Sequence, residues 1–197
     1  MHPSRRRFLV GAALLTLGAS TPGLAAAQSV RSVGELRRHQ VVIQEFDISC
    51  AAAALATLLT YQHGDPVTER EIALGLIDRP EYIENPALIR LRQGFSLLDL
   101  KRFVDGRGYE GIGFGQLTYG DLFERAPIIV PLDLHGFRHF VIFRGELGGS
   151  VLLADPAYGN RTMSRERFER AWIDFPRIGR VGFVVERRDG LIPPNRL

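Results

Sequence analysis

The apolar residues of this chain recur at helical spacing in its first half and at strand spacing in its second half. The helical pattern predicts helices at Val33–His39, Cys50 to about Tyr61, Thr68–Ile77, Leu97 to about Arg107 and, later in the chain, Ser164–Ala171. Two of these helices also carry start signals. Thr68 and Glu71 match a capping box, and Ser96 is a favourable N-cap with Asp99 in the first turn.

The second half contains β-branched or aromatic runs bounded by glycine and proline. These runs predict strands at Tyr109–Phe114, Ile128–Leu134, His139–Arg144, Val151–Ala154 and Val181–Glu186. The pair Gly148–Gly149 predicts a hairpin turn between two of them. In the first half, Val41–Ile43 predicts a brief strand, and residues 79–94 predict a loop with room for one helical turn. Helices followed by a mostly antiparallel sheet indicate an α+β domain.

The first 27 residues have the pattern of an export signal. Arg5–Arg7 form a basic start, an apolar stretch follows, and Ala25–Ala27 provide small residues for cleavage. The stretch is interrupted by glycine and proline and is too short for a membrane span of about 20 apolar residues. The basic start resembles the twin-arginine export pattern, and general secretion is the alternative. We expect cleavage near Ala27, a periplasmic product, and one domain formed by residues 28–197.

Removal of that signal changes the charge of the chain. The whole sequence has 25 basic and 22 acidic residues, a formal net charge of +3. Segment 1–27 holds three of the basic residues and none of the acidic ones, so 22 of each remain. A neutral chain without a basic, aromatic stripe is not expected to bind nucleic acid. We also expect no transmembrane domain in the mature chain.

Cys50 is the first candidate for chemistry, because it is the chain's one cysteine and cannot form an intramolecular disulfide. Secreted proteins usually pair their cysteines or omit them, so a leftover thiol is a candidate for reactivity. Cys50 begins a predicted helix, and a helix N-terminus favours the nucleophilic thiolate. Asp47 or Ser49 is the expected cap of that helix. The alternative is that Cys50 is a small buried apolar residue.

His139 is the histidine that best fits the role of a base for Cys50. His63 follows the cysteine helix by about three turns, roughly 18 Å along a straight helix, which excludes contact. His39 precedes the predicted strand at Val41. His135 and His139 have a spacing that binds metals on a helix, but this segment predicts a turn and a strand, so no metal site is expected.

Asp155 and Gln44 are the remaining candidates. Asp155 ends the strand after the one that His139 opens, and neighbouring antiparallel strands can bring the two together. We expect its carboxylate to accept the Nδ1 proton and fix the imidazole tautomer, with a simple turn residue as the alternative. The Gln44 side-chain amide and the Cys50 backbone N–H would supply two donors to an oxyanion. An ordinary surface glutamine is the alternative for Gln44.

Together these residues resemble the bacteriocin-leader, or double-glycine, cysteine peptidases of the papain-like clan. The features that carry the resemblance are Gln44, the Cys50 helix, the Gly94–Leu100 helix start, the Arg138–Val141 strand, the Ala154–Pro156 turn, and the Gln44–Cys50 and His139–Asp155 intervals of six and sixteen residues. They cover roughly residues 40–175.

The resemblance implies a papain-like fold, with N-terminal helices packed on a mostly antiparallel C-terminal sheet. It also implies that Cys50 is the nucleophile, His139 the general base and acid, and Asp155 the residue that orients the imidazole. Gln44, with the Cys50 backbone N–H, would form the oxyanion hole. Members of the family usually have glycine after the nucleophile, whereas this chain has Ala51, whose methyl group would crowd or tune the bound substrate.

The function implied by the resemblance is that of an exported cysteine endopeptidase. It would cleave after small residues, often Gly-Gly, in a leader or a secreted precursor, without a cofactor. Free-standing exported members include some that serve secretion systems for extracellular fibres, functional amyloid among them, so secretion-system components are candidate partners.

Two other functions stay open. One is a binding module of the same fold that docks or chaperones a secretion substrate, although Cys50, Gln44, His139 and Asp155 are all present and favour the enzyme. The other is acyl transfer, such as amide ligation or transpeptidation, because water and amines attack the same thioester. Phe95, Tyr119, Phe137 and Trp172 are candidates for exposed groove residues, although core packing is the commoner use of each.

Overall fold

The structure is a computed structural model that describes residues 31–91, 93–191, 193 and 197. Its helices are α1 (Val33–Arg38), α2 (Cys50–Thr57), α3 (Glu69–Ile77), α4 (Pro80–Glu84), α5 (Ala87–Leu91), α6 (Leu97–Gly106), α7 (Asp121–Arg125) and α8 (Arg165–Ala171). Its strands are β1 (Tyr109–Phe114), β2 (Ile128–Leu134), β3 (Phe137–Leu147), β4 (Ser150–Asp155), β5 (Gly159–Ser164), β6 (Asp174–Phe175), β7 (Gly179–Arg180) and β8 (Gly182–Arg187). The predicted export signal, residues 1–27, lies outside the described residues.

Six of the strands form one antiparallel sheet in the order β1-β8-β2-β3-β4-β5. Side chains that alternate along each strand enter two separate clusters of buried apolar residues, as on β2, where Ile129 joins one cluster and Val130 the other. Helices α2, α3 and α6 belong to the first cluster, and α8 belongs to the second. The predicted α+β architecture, with helices packed on an antiparallel sheet, is confirmed.

Helix α2 lies at the centre of the first cluster because its side chains are small. Ala51 to Ala54 are completely buried, and an alanine-rich surface allows the helix to pack close to β3. The helix continues as a π-helical turn over Leu58–Gln62, which takes it one residue past the predicted end at Tyr61. Burial of α2 fixes its first residue, Cys50, against the sheet.

Several segments differ from the sequence prediction. Val41–Ile43 is not a strand: the Val42 N–H donates to Thr57 Oγ1 at 3.0 Å instead of joining a ladder. Residues 79–94 contain two short helices rather than one turn, and Pro80 begins α4 at a position where proline is favourable. Helix α7 and strand β5 had no sequence prediction. Strand β5 is a polar edge strand, so it lacks the apolar alternation that identifies strands.

Strand β3 is longer than predicted, since it begins at Phe137 and places His139 third. The hairpin from β3 to β4 is confirmed, and both Gly148 and Gly149 have positive φ.

Strand β5 forms one edge of the six-stranded sheet, and helix α1 packs against it. The Asn160 side-chain amide donates to the carbonyls of Leu36 and His39 at 3.0 and 2.7 Å.

Candidate active site

Cys50 is the first residue of α2, and its buried side chain lies near enough to His139 to raise the pKa of the imidazole. Ser49 occupies the N-cap position, but its side chain makes no capping hydrogen bond. Its hydroxyl instead donates to the Glu69 carboxylate and lies 2.8 Å from the Phe46 carbonyl oxygen. Ser49, one of the two expected caps, is therefore the N-cap residue by position, but its hydroxyl is used by the loop before the helix.

His139 and Asp155 are held together by neighbouring strands. Ile142 on β3 lies opposite Ala154 on β4, so Asp155 falls diagonally across from His139 on the same face of the sheet. The His139 Nε2 atom lies 2.7 Å from Asp155 Oδ1, and both side chains are buried. The expected contact through Nδ1 is wrong. Because Nε2 is used by the carboxylate, Nδ1 is the ring nitrogen that remains available, and it is buried without a hydrogen-bond partner among the described residues.

The charges of the pair follow from these contacts. Burial lowers the pKa of His139, but the hydrogen bond with Asp155, the nearby Cys50 and the charges of both outweigh it and raise the pKa to about 9. Burial raises the pKa of Asp155, but the hydrogen bond and charge of His139 and the charge of Arg161 outweigh it and lower the pKa. At neutral pH the imidazole is protonated and the carboxylate is ionised. A cationic imidazole beside a thiol favours the thiolate.

The Asp155 carboxylate has further contacts that fix its orientation. Oδ1 accepts the backbone N–H groups of Ala157 and Tyr158 at 2.9 and 3.3 Å. Oδ2 lies 2.7 Å from Arg161 Nε in an ion pair. Arg161 was not a sequence candidate, because it lies on β5, the strand that the apolar pattern did not predict.

Gln44 lies next to the Asp155 turn, at the start of the loop that ends in Cys50. Its backbone N–H donates to the Pro156 carbonyl at 2.8 Å, and its side-chain Nε2 donates to the Phe46 carbonyl at 2.9 Å. The structure therefore brings Gln44 and Asp155 together and fixes the Gln44 side chain within the same loop as Cys50.

An apolar groove of about 440 Å³ opens beside His139. It lies between the segment before α6 and the β6–β7 hairpin, and its apolar lining includes Leu91, Phe95, Leu97, Phe140, Phe175 and Ile178. Phe137 stacks on the His139 ring, with the ring centroids 6.0 Å apart, and is 46% exposed. Of the other predicted aromatic candidates, Phe95, Tyr119 and Trp172 are buried.

The remaining sequence candidates lie elsewhere. His63 is buried after the π-helical turn, where it packs edge-on against Tyr109, and His135 is in an exposed turn with φ of 61°. Ala51 is fully buried in the core, so its methyl group does not reach the open groove. Residues 31–91, 93–191, 193 and 197 contain no cluster of His, Cys, Asp or Glu that could hold a metal ion. None of the helices in those residues is long and apolar enough to span a bilayer.

Comparison with known proteins gives matches to peptidases. The model of the peptidase C39 family matches residues 38–175. A protein of Pseudomonas aeruginosa named "Probable functional amyloid protease FapD" is 34% identical over 166 residues, covering 80% of this chain and 71% of the relative. A protein of the same name from Pseudomonas fluorescens is 31% identical, over 80% of this chain and 68% of the relative.

Solved structures give the same fold. A double glycine motif protease from an AMS/PCAT transporter, crystallised with its leader peptide, has a TM-score of 0.56 and 21% identity, over 75% of this chain and 90% of that one. The peptidase domain of Streptococcus ComA has a TM-score of 0.58 and 17% identity, over 75% of this chain and 98% of that one.

Proposed function

Because this chain belongs to the peptidase C39 family and is a cysteine peptidase, we propose that it cleaves a secreted or leader-bearing precursor through Cys50, His139 and Asp155. The observation that carries this assignment is the buried His139, whose Nε2 lies 2.7 Å from Asp155 Oδ1 and whose pKa is raised by both Asp155 and Cys50. The contacts match the roles of a base held between a nucleophile and an orienting carboxylate. Burial of all three side chains strengthens their mutual electrostatic interaction.

The reaction follows from these positions. His139 already carries the proton that Cys50 has given up, and the Cys50 thiolate attacks the carbonyl carbon of the scissile peptide bond. The Gln44 amide and the Cys50 backbone N–H stabilise the oxyanion. The imidazolium of His139 protonates the departing amine as the C–N bond breaks, which leaves a thioester. Water, deprotonated by His139, then attacks the thioester and releases the acid product and the free thiol.

The substrate is proposed to be a polypeptide that lies in the apolar groove beside His139. The groove is lined mainly by apolar side chains, and the partly exposed ring of Phe137 stacks on His139, which is one of the lining residues. Such a surface favours apolar side chains near the scissile bond. The two Pseudomonas relatives are named as probable functional amyloid proteases. We therefore propose a substrate from a functional amyloid system, processed in the periplasm after export.

A thiol-directed activity probe tests the Cys50–His139 pair. We expect rapid labelling of the wild-type protein, none of Cys50→Ala, and labelling at the rate of an ordinary thiol in His139→Ala. Equal labelling of wild type and His139→Ala would contradict the assignment. In cells, a precursor that accumulates uncleaved only in a Cys50→Ala strain would identify the substrate.

A further inference from the structure

One buried carboxylate ties both ends of the loop between Gln44 and Cys50, residues 45–49, which we name the nucleophile loop. Glu69, the first residue of α3, is only 5% exposed. Its Oε2 accepts the Glu45 backbone N–H at 2.8 Å, at the start of the loop. Its Oε1 accepts a hydrogen bond from the Ser49 hydroxyl, at the end of the loop.

A carboxylate in this position needs a reason, because burial of a charge is costly unless hydrogen bonds compensate for it. Within the described part of the chain, no arginine or lysine forms an ion pair with Glu69. Its hydrogen bonds run instead to the nucleophile loop. The positive end of α3 adds a smaller stabilisation. The buried position of Glu69 is thus explained by its hydrogen bonds to the two ends of the nucleophile loop.

We propose that Glu69 is a positioning residue for the oxyanion hole. The nucleophile loop connects the two proposed oxyanion donors, the Gln44 side-chain amide and the Cys50 backbone N–H. A carboxylate that bridges the loop from Glu45 to Ser49 sets the distance and direction between those donors. This inference rests on the proposed function, in which Gln44 and Cys50 bind the oxyanion, and it adds the residue that keeps them in place.

The chemistry offers a way to separate this role from general support of the fold. Attack on an ester forms an oxyanion and depends on both donors, and the loss of one such donor costs about 10²–10³ in rate. Alkylation of a thiolate by iodoacetamide displaces iodide and forms no oxyanion. Alkylation depends on the Cys50–His139 pair, which Glu69 does not contact. Loss of the Glu69 carboxylate should therefore slow the attack on an ester and leave the rate of alkylation by iodoacetamide nearly unchanged.

The test compares two reactions of Cys50 in the full-length protein. With p-nitrophenyl acetate, the thiolate attacks the acetyl carbon, p-nitrophenolate leaves, and an acetyl thioester forms. We expect Glu69→Ala to slow this acylation by about 10-fold or more, and to change the iodoacetamide rate by less than about 2-fold. The matched control is Glu71→Ala, an exposed glutamate of the same helix, which should leave both rates unchanged.

Three further variants keep the test decisive. Glu69→Gln should restore most of the acylation rate, because an amide oxygen accepts the Glu45 N–H and an amide N–H donates to the Ser49 hydroxyl. Ser49→Ala, which removes one of the two bonds, replaces Glu69→Ala if that variant does not fold. In a Gln44→Ala background, Glu69→Ala should add less than it does alone, because both changes act on the same donor.

Two outcomes would contradict the proposed role of Glu69. A folded Glu69→Ala protein with wild-type acylation would overturn the proposal, and so would a parallel fall of acylation and alkylation. Failure of the proposed function would look different: the wild-type protein itself would not be acylated at Cys50.

Discussion

The pKa of His139 depends on two groups from different parts of the fold, Asp155 on β4 and Cys50 on α2. The Asp155 contact joins two strands that one hairpin separates, whereas Cys50 comes to the sheet from a helix that is distant in sequence. Their combined effect outweighs burial and raises the pKa of His139 to about 9, above its usual value of 6.5. Ionisation of this residue therefore contributes to the stability of the fold, and it would link that stability to the proposed catalysis.

The raised pKa of His139 predicts that stability depends on pH. A proton bound more tightly in the folded state stabilises it fully below about pH 6.5, and the effect disappears as the pH rises through about 9. We expect the free energy of unfolding of the wild type, relative to His139→Asn, to fall across this window. Urea unfolding of both proteins at pH values of about 6, 8 and 10 measures it. A difference that stays constant with pH would contradict the prediction.

The ion pair between Arg161 and Asp155 predicts an effect on the acid side. Because the folded-state pKa of Asp155 is lowered, its contribution to stability is present above its usual pKa of 3.8 and is lost as the pH falls through the folded value. Arg161→Gln removes a cation from Oδ2, so we expect acid unfolding to begin at a higher pH. Acid titration followed by circular dichroism measures the midpoint. Arg167→Gln, an exposed arginine on α8, is the control, and equal midpoints would refute the prediction.

At the scale of single residues, the sequence pointed to those candidates whose residue type is rare in the chain or whose spacing matches a structural element. Cys50 could be predicted because it is the chain's one thiol, and His139 and Asp155 because one hairpin separates them. The ring nitrogen that faces Asp155 could not be predicted, since it depends on the angle between α2 and β3. Arg161 was missed because it lies on β5, which the apolar pattern did not predict. Glu69 was missed because its partners, Glu45 and Ser49, are distant in sequence, and each of the two missed residues looks like an ordinary charged surface residue until the fold is known.

At the scale of elements, the segments with strong periodicity were the predictable ones. Helices α3 and α6 and strands β1 and β2 lie within a residue or two of their predicted bounds, because their apolar faces enter the core. Strand β5 and helix α7 are short and mostly polar, so tertiary contacts rather than local pattern determine them. The segment Val41–Ile43 has strand composition, but it lies beside a helix and no strand is available to pair with it.

The loop before α6 approaches the nucleophile loop so closely that only glycine fits. Gly94 has φ of +120°, and a Cβ there would lie 2.9 Å from the Ile48 carbonyl oxygen. We expect Gly94→Ala to lower the free energy of unfolding by about 1–3 kcal/mol and to displace the residues before Cys50. Chemical unfolding and probe labelling measure the two effects. Gly113→Ala, where a Cβ meets nothing within 4 Å, is the control, and an equal loss there would contradict the steric argument.

On the scale of the whole molecule, the site lies where the helical part and the sheet meet. Cys50 and Gln44 come from the first, and His139 and Asp155 from the second. The two buried clusters share the same strands, since neighbouring residues such as Ile129 and Val130 enter opposite clusters. Disruption of one cluster therefore disturbs the strands that support the other, and with them the alignment of the site.

That shared sheet predicts cooperative unfolding. Trp172, the chain's one tryptophan, belongs to the second cluster, whereas α2, α3 and α6 belong to the first. We expect tryptophan fluorescence and far-UV circular dichroism to give coincident denaturation curves. Two separate midpoints would show that the clusters unfold independently.

Helix α1 lies against β5, one of the two edges of the sheet, and the Asn160 amide fastens it there. An uncovered edge strand invites addition of a strand from another chain. Proteolytic removal of the residues up to 39 would take α1 away from the β5 edge, while every proposed catalytic group would stay in the chain. The first visible consequence of such trimming would be self-association of the enzyme, ahead of any loss of chemistry.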